Sequence, residues 1–199
     1  MQIEEAFMKA VMHEDRIAYH RITVDQYYRM AEVGVLTPDE RVELIDGVIV
    51  DMAPIGSRHA GALRRLNHLL TVALGPRAIL SGQLPIRLGH SSEPQPDLAV
   101  LRPRHDFYDR EHPHAEDVLL LIEVSVTSLR YDLQVKIPLY ARHLIPEVWV
   151  IDLQDQKVHL HRKPRGGAYT EVLSLPESGS MVATAFPDVA IDLRAILRS

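Results

Sequence analysis

No cysteine occurs among the 199 residues, which excludes a disulfide framework, a thiol nucleophile and a thiolate metal site. That absence suits a reducing cytoplasm, the location expected for this chain. No apolar run approaches the length of a membrane span, so no membrane partner is expected. The opening Met-Gln-Ile-Glu-Glu lacks the basic start of a secretory signal. Net positive charge is missing as well. The formal charge of −5 argues against nonspecific coating of nucleic acid, because phosphate binding draws on local positive charge. There is no internal repeat, no low-complexity segment and no recognisable DNA-reading motif.

What is present reads as one ordinary globular unit. The chain is long enough to bury a core, and its 46% hydrophobic and 25% charged content is that of a soluble domain. Residues 1–22 are charged and weakly patterned and read as an N-terminal arm, leaving 23–199 as a single domain. From Arg58 to Arg110 there are eight arginines against four acids, which allows a locally basic face; a solvated surface is the commoner outcome of such a balance.

Local signals place the elements. Thr23 suits an N-cap for a helix over Val24–Val33, with Gly34 as its stop. Asp46-Gly47 between two apolar runs, Arg41–Ile45 and Val48–Met52, is a strong hairpin signal. Ser57 suits the cap of a helix reaching Leu74, ended by Gly75-Pro76. Strands are expected at 78–80, 84–88, 97–101, 118–124 and 148–153, with a polar loop over 103–117. A helix is expected over 133–143, a late hairpin at 157–162 and 169–173, and a short closing helix over 193–197 capped by Asp192. This order predicts a mixed α/β (α+β) domain with helices against a central sheet.

The chemistry sits at strand ends. Asp97 follows Pro96 and opens the run Asp97–Leu101, while Glu123 nears the end of the apolar strand Val118–Val124. Unpaired carboxylates are costly to bury. If the strands are neighbours, the two can converge on Mg²⁺ or Mn²⁺, which prefer oxygen ligands. Equally, Asp97 can cap a turn and Glu123 can pair with an arginine; spacing alone leaves both readings open. Lys136 flanks the stripe Leu133, Ile137, Tyr140 and Leu144, from where it can send its ammonium toward a strand end or simply reach solvent. Pro138 predicts either a kink there or a helix that begins near Ile137 and leaves Lys136 on a loop. His159 and His161 share a strand face and suit a zinc site with added carboxylates, though exposed polar positions explain them more simply.

A longer constellation is more specific. The runs Val42-Glu43-Leu44-Ile45-Asp46-Gly47, Ser57 with His59, Pro96-Asp97, Leu121-Ile122-Glu123-Val124 and Arg130-Tyr131-Asp132 are followed by Lys136, Leu139-Tyr140 and Ile145–Asp152. In that order, from about Thr23 to Leu173, they resemble the Uma-two family of restriction-endonuclease-like proteins in the PD-(D/E)XK nuclease superfamily. The resemblance implies a mixed sheet flanked by helices, with Asp97 as the motif aspartate and Glu123 as the motif glutamate. Ser125 stands where the superfamily pattern has a lysine, and the family's usual lysine on the next helix corresponds to Lys136. Glu43 corresponds to the upstream acid, expected in or beside the metal's ligand shell with Asp97 and Glu123. His59 is a secondary candidate, near phosphate or the attacking water, or packed beside Glu43. Two departures stand out: Val124–Leu129 replaces a segment that more often carries a Ser-Pro turn, and Pro138 sits within the lysine helix.

Three functions fit. The first is a metal-dependent endonuclease acting on DNA. The second is a catalytically weak nucleic-acid-binding module of the same fold, and the third a transposon-associated accessory domain with structural acids. The full set Glu43, Asp97, Glu123 and Lys136 favours the first. Cutting two strands calls for two active sites, so a homodimer is the expected assembly, and a separate targeting partner is left open.

Overall fold

The structure, a computed structural model, describes residues 19–37 and 39–197. Most of the expected N-terminal arm lies outside the described residues. Its last two residues dock on the domain, with the Ile22 N–H donating to the Gly47 carbonyl at 3.1 Å.

Local chemistry forms the first elements. Helix α1 (Val24–Glu32) starts at Thr23, whose side chain accepts from the Gln26 N–H while Gln26 reaches back, a reciprocal capping box. Beyond it Gly34 takes a φ of +76°, which glycine adopts without a Cβ penalty. Strands β1 (Val42–Ile45) and β2 (Val48–Asp51) form the expected hairpin. Its Asp46-Gly47 turn has φ of 48° and 75°, the left-handed pair that two-residue hairpins need. Helix α2 (Ser57–Leu74) buries Ala62, Leu66, Leu70 and Leu74 at helical spacing. Gly56, not Ser57, occupies its N-cap position.

Among the described residues six strands make one mixed sheet in the order β3-β4-β5-β6-β7-β8. They are β3 (Ile79–Ser81), β4 (Leu98–Leu101), β5 (Val118–Ser125), β6 (Glu147–Asp152), β7 (Lys157–Arg165) and β8 (Ala168–Pro176). Only the β5–β6 pair is parallel. A parallel pair needs a crossover, and helix α3 between them (residues 129–142) supplies it. β5 and β6 lie in the middle of the sheet and are buried almost throughout, which explains why their sequences are apolar on both faces. One core forms between α2, the sheet and the closing helix α4 (Arg194–Leu197). A second lies on the other face, around Tyr140, Leu139, Val148 and Val150. A small hairpin, β9 (Ser180–Val182) with β10 (Ala190–Asp192), precedes α4. No helix among the described residues is long and apolar enough to cross a membrane.

Two expectations need correction. Residues 84–88 are not a strand. Ile86 and Leu88 are buried in alternation, but their N–H groups bond to Pro94 and Ser92 in the same loop, and Arg87 makes only an isolated bridge to His114. Helix α3 does not begin near Leu133 or at Ile137. It starts at Leu129, widens into a π-turn over Asp132–Lys136, and resumes as α-helix over Ile137–Arg142. Pro138 has no N–H, and in a regular helix its ring presses on the carbonyl four residues back. The widened turn just before it relieves that clash, and the Ile137 N–H bonds instead to the Asp132 carbonyl, five residues back. Lys136 thereby stays on an ordered helix.

His161 is buried rather than exposed, and His159 is half-buried. His161 is 7% exposed, and the Nε2 atoms of both lack a hydrogen-bond partner. No group of three or more metal-ligating side chains is found around them or elsewhere among the described residues. Burial first, then the neighbouring His159, pulls His161 from its ordinary 6.5 down to about 4. The folded protein therefore refuses a proton that the unfolded chain accepts. This contribution to stability is complete above about pH 6.5 and is lost as pH falls through about 4. Urea midpoints should drop across that window, and His161→Phe should remove part of the drop; an unchanged slope in the variant would refute the assignment.

Candidate active site

The antiparallel register of β4 and β5 sets Leu98 opposite Ile122. Extending that register by one residue brings Asp97 opposite Glu123, and opposed residues share a face. The side chains are locked there through each other's backbone. The Val124 N–H donates to Asp97 Oδ2 at 2.8 Å, and the Asp97 N–H lies 3.4 Å from Glu123 Oε2. The other Asp97 oxygen faces His59 Nε2 at 2.9 Å and Gln83 Nε2 at 3.3 Å. His59, in the first turn of α2, thus meets Asp97 and not Glu43.

Lys136 is not a surface lysine. It is 5% exposed, and its ammonium lies 3.2 Å from Glu123 Oε1 and 3.4 Å from Glu43 Oε2. Tyr140, one turn further along α3, donates to Glu123 Oε1 at 2.5 Å. Glu43 comes from β1, where Leu44 and Ile45 beside it are buried in the domain. It accepts from the Gln95 N–H at 3.0 Å and from the Tyr131 hydroxyl at 3.3 Å. All four residues named from the sequence therefore line one cavity of about 600 Å³, together with His59, Gln95 and Arg58.

The same cavity holds an acid to which sequence reasoning gave no role. Asp132 is 4% exposed and accepts from the hydroxyls of Ser125 at 2.6 Å and Ser128 at 2.8 Å. Asp132, Tyr131 and Tyr140 all stand in the motif text, yet spacing names no partner for any of them. Ser125, two residues beyond Glu123, anchors Asp132.

Four carboxylates around one lysine leave the site short of positive charge. Burial, with Asp132 and Asp97 nearby, pushes the Glu123 carboxyl up to about 8 against the pull of Lys136. Burial also raises Asp132. It works against the charge of Lys136, but Glu123 first, then Glu43, Asp132 and Asp97, outweigh it and hold the ammonium well above its ordinary value. Lys136 is thus a permanent cation here. Several of the arginines clustered in sequence already have partners. Arg65 and Arg77 are held by Ile196 and Asp188, Arg87 by Glu93, and Arg104 by Asp106 and Glu111. Arg58 reaches the cavity while donating to the Leu153 carbonyl.

The donor set fits a hard divalent cation. Asp97 and Glu123 both present carboxylates to this acid-rich cavity, and Mg²⁺ is commonly held by one or two carboxylates with the rest of its shell water or substrate phosphate. No third acid or histidine converges with them into a closed ligand set among the described residues.

Removing the lysine should expose how much the site depends on it. Lys136→Met leaves Glu43 and Glu123 buried without a counter-charge, a loss of about 3–5 kcal/mol. Lys136 holds the Glu123 carboxyl down toward about 8, so its removal lets that carboxyl rise further; the deficit should widen as pH climbs past about 8 and stay level below it, where Glu123 is protonated in both folded proteins. Chemical denaturation of the variant at several pH values reads this directly, and a pH-independent deficit would refute it.

Comparison with known proteins follows the same outline. A family model described as "Uma2: Putative restriction endonuclease" matches residues 24–194. No curated protein matches the chain. Among solved structures, a "putative nuclease belonging to DUF820" from Anabaena variabilis ATCC 29413 superposes with a TM-score of 0.69 at 16% identity, over 88% of this chain and 97% of that one. At that identity the likeness establishes a shared fold.

Proposed function

The chain belongs to the Uma2 family, and from that premise we propose that it is a metal-dependent endonuclease hydrolysing phosphodiester bonds of DNA. The observation that carries this reading is the trio Asp97, Glu123 and Lys136 facing one cavity, the last two of them buried. Asp97 and Glu123 would hold Mg²⁺ or Mn²⁺. When bound, such an ion supplies Lewis-acid neutralisation of phosphoryl charge and lowers the pKa of a coordinated water.

The protein's own residues do the rest. The Val124 N–H and His59 fix both oxygens of Asp97, so that its carboxylate meets the cavity in one orientation. The Tyr140 hydroxyl holds one oxygen of Glu123. The Lys136 ammonium, kept protonated by its acidic neighbours, presents fixed positive charge where an attacking water or a pentavalent phosphorus would concentrate negative charge. Such preorganised charge is worth most in a site from which bulk water is excluded. Hydrolysis then joins the water oxygen to phosphorus and breaks the bond to the leaving sugar oxygen. Two-strand cutting would require two such sites, which a twofold dimer would supply.

The test is a pool of double-stranded, single-stranded and branched DNA at low salt, with Mg²⁺ or Mn²⁺, beside Asp97→Ala and an EDTA control. Product should form only with the metal, be absent in the variant, and diminish as salt weakens phosphate contacts. Binding without any metal-dependent product would favour a nucleic-acid-binding module. Neither binding nor product would favour an accessory domain with structural acids.

A further inference from the structure

Glu43 stands apart from the other two acids. The Asp97 N–H meets the Glu123 carboxylate directly, and the Val124 N–H beside Glu123 meets the Asp97 carboxylate. Glu43 reaches that pair only through intermediaries: the Lys136 ammonium on one side, and on the other the Gln95 N–H, two residues ahead of Asp97. Both of its oxygens already have donors, Gln95 and Lys136 at Oε2 and the Tyr131 hydroxyl at Oε1. It does not converge with Asp97 and Glu123 as a third ligand. Asp97 and Glu123 are as fully hydrogen-bonded, so what sets Glu43 apart is its separation from them, with the Lys136 ammonium between.

We propose that Glu43 is a positioning residue that acts through Lys136 and not a metal ligand. The lysine stem crosses from α3 into the cavity, and with Glu123 as its sole partner the ammonium could swing with that carboxylate. Glu43, carried on a different element, gives it a second fixed point. Tyr131 belongs to the same device, since it ties Glu43 back to the helix that bears Lys136. The β1–β2 hairpin thereby reaches the reacting centre through one side chain. The inference uses the nuclease reading only for the identity of the metal and the reaction; the lysine clamp itself is independent of both.

The experiment compares Glu43→Gln, Tyr131→Phe and Asp97→Asn in the full chain, with three readouts. Mn²⁺ affinity is measured by calorimetry. The lysine ammonium groups are followed by ¹⁵N NMR, where only four lysines occur and Lys136 alone of the described ones is buried, so its slowly exchanging signal stands out. Turnover is split into kcat and KM on whichever DNA is cut. Glu43→Gln should keep Mn²⁺ affinity within about 2-fold while Asp97→Asn loses at least ~10-fold; it should broaden or shift the Lys136 signal and lower kcat by roughly 10²-fold with little change in KM. Tyr131→Phe, which changes no charge, should move the ammonium signal in the same direction to a smaller extent without altering Mn²⁺ binding, and it serves if Glu43→Gln does not fold. Loss of Mn²⁺ affinity in Glu43→Gln as deep as in Asp97→Asn would overturn the proposal, as would a Lys136 signal untouched by either substitution. If the wild type cuts no DNA, the nuclease reading fails while the metal and ammonium measurements still decide the role of Glu43.

Discussion

A single buried ammonium holds this architecture together. Lys136 joins the β1–β2 hairpin, the crossover helix and the central strand β5 at one point, because each contributes either the cation or one of the carboxylates around it. Desolvating three charges is unfavourable by itself, and a buried ion pair seldom adds much net stability over a well-packed apolar substitute. Its strength lies in the penalty for separation: any rearrangement that parts the lysine from its acids leaves a bare charge in low dielectric. The three elements are therefore held in register by electrostatics where they meet, while ordinary apolar packing on the two faces of the sheet holds them elsewhere.

The remaining charge imbalance links this structural role to chemistry. A site designed only for stability would balance its carboxylates. Here Glu123 rises to about 8 and Asp132 is raised too, while Asp97 relies on backbone and histidine donors. Perturbed acids gathered in a cleft mark functional sites more often than structural ones. The tolerance for this imbalance comes from the surroundings: strands buried almost throughout, a tyrosine aimed at Glu123, and two serine hydroxyls around Asp132.

The crossover helix shows how a local irregularity serves the site. In sequence, Pro138 looked like a threat to the placement of Lys136. In the fold the π-turn over Asp132–Lys136 absorbs the proline, and both buried polar residues of the helix belong to that turn. Widened turns of this kind recur at functional sites because they rotate side chains out of the regular helical progression. Neither a kink nor a delayed helix start was needed, and sequence reasoning offered only those two.

Elements governed by short-range chemistry were legible: the Thr23 capping box, the Asp46-Gly47 turn, the apolar face of α2 and the fully apolar β5 and β6 all follow from neighbours in the chain. The family text likewise named Glu43, Asp97, Glu123 and Lys136, and the fold gathers them in one cavity. The alternation at Ile86 and Leu88 misled because burial imposes that pattern on a packed loop as readily as on a strand; only backbone pairing tells them apart. The clustered arginines are a related case, since sequence proximity does not say which acid or carbonyl each one meets. What the chain by itself determined was its local elements and the inventory of reactive groups. Tertiary structure alone decided the partners: His59 on Asp97 and not Glu43, Tyr140 on Glu123, and Lys136 between two acids 93 and 13 residues away in sequence. Those contacts depend on strand register and helix rotation, which are set by packing the whole core and leave no trace in any short stretch of residues.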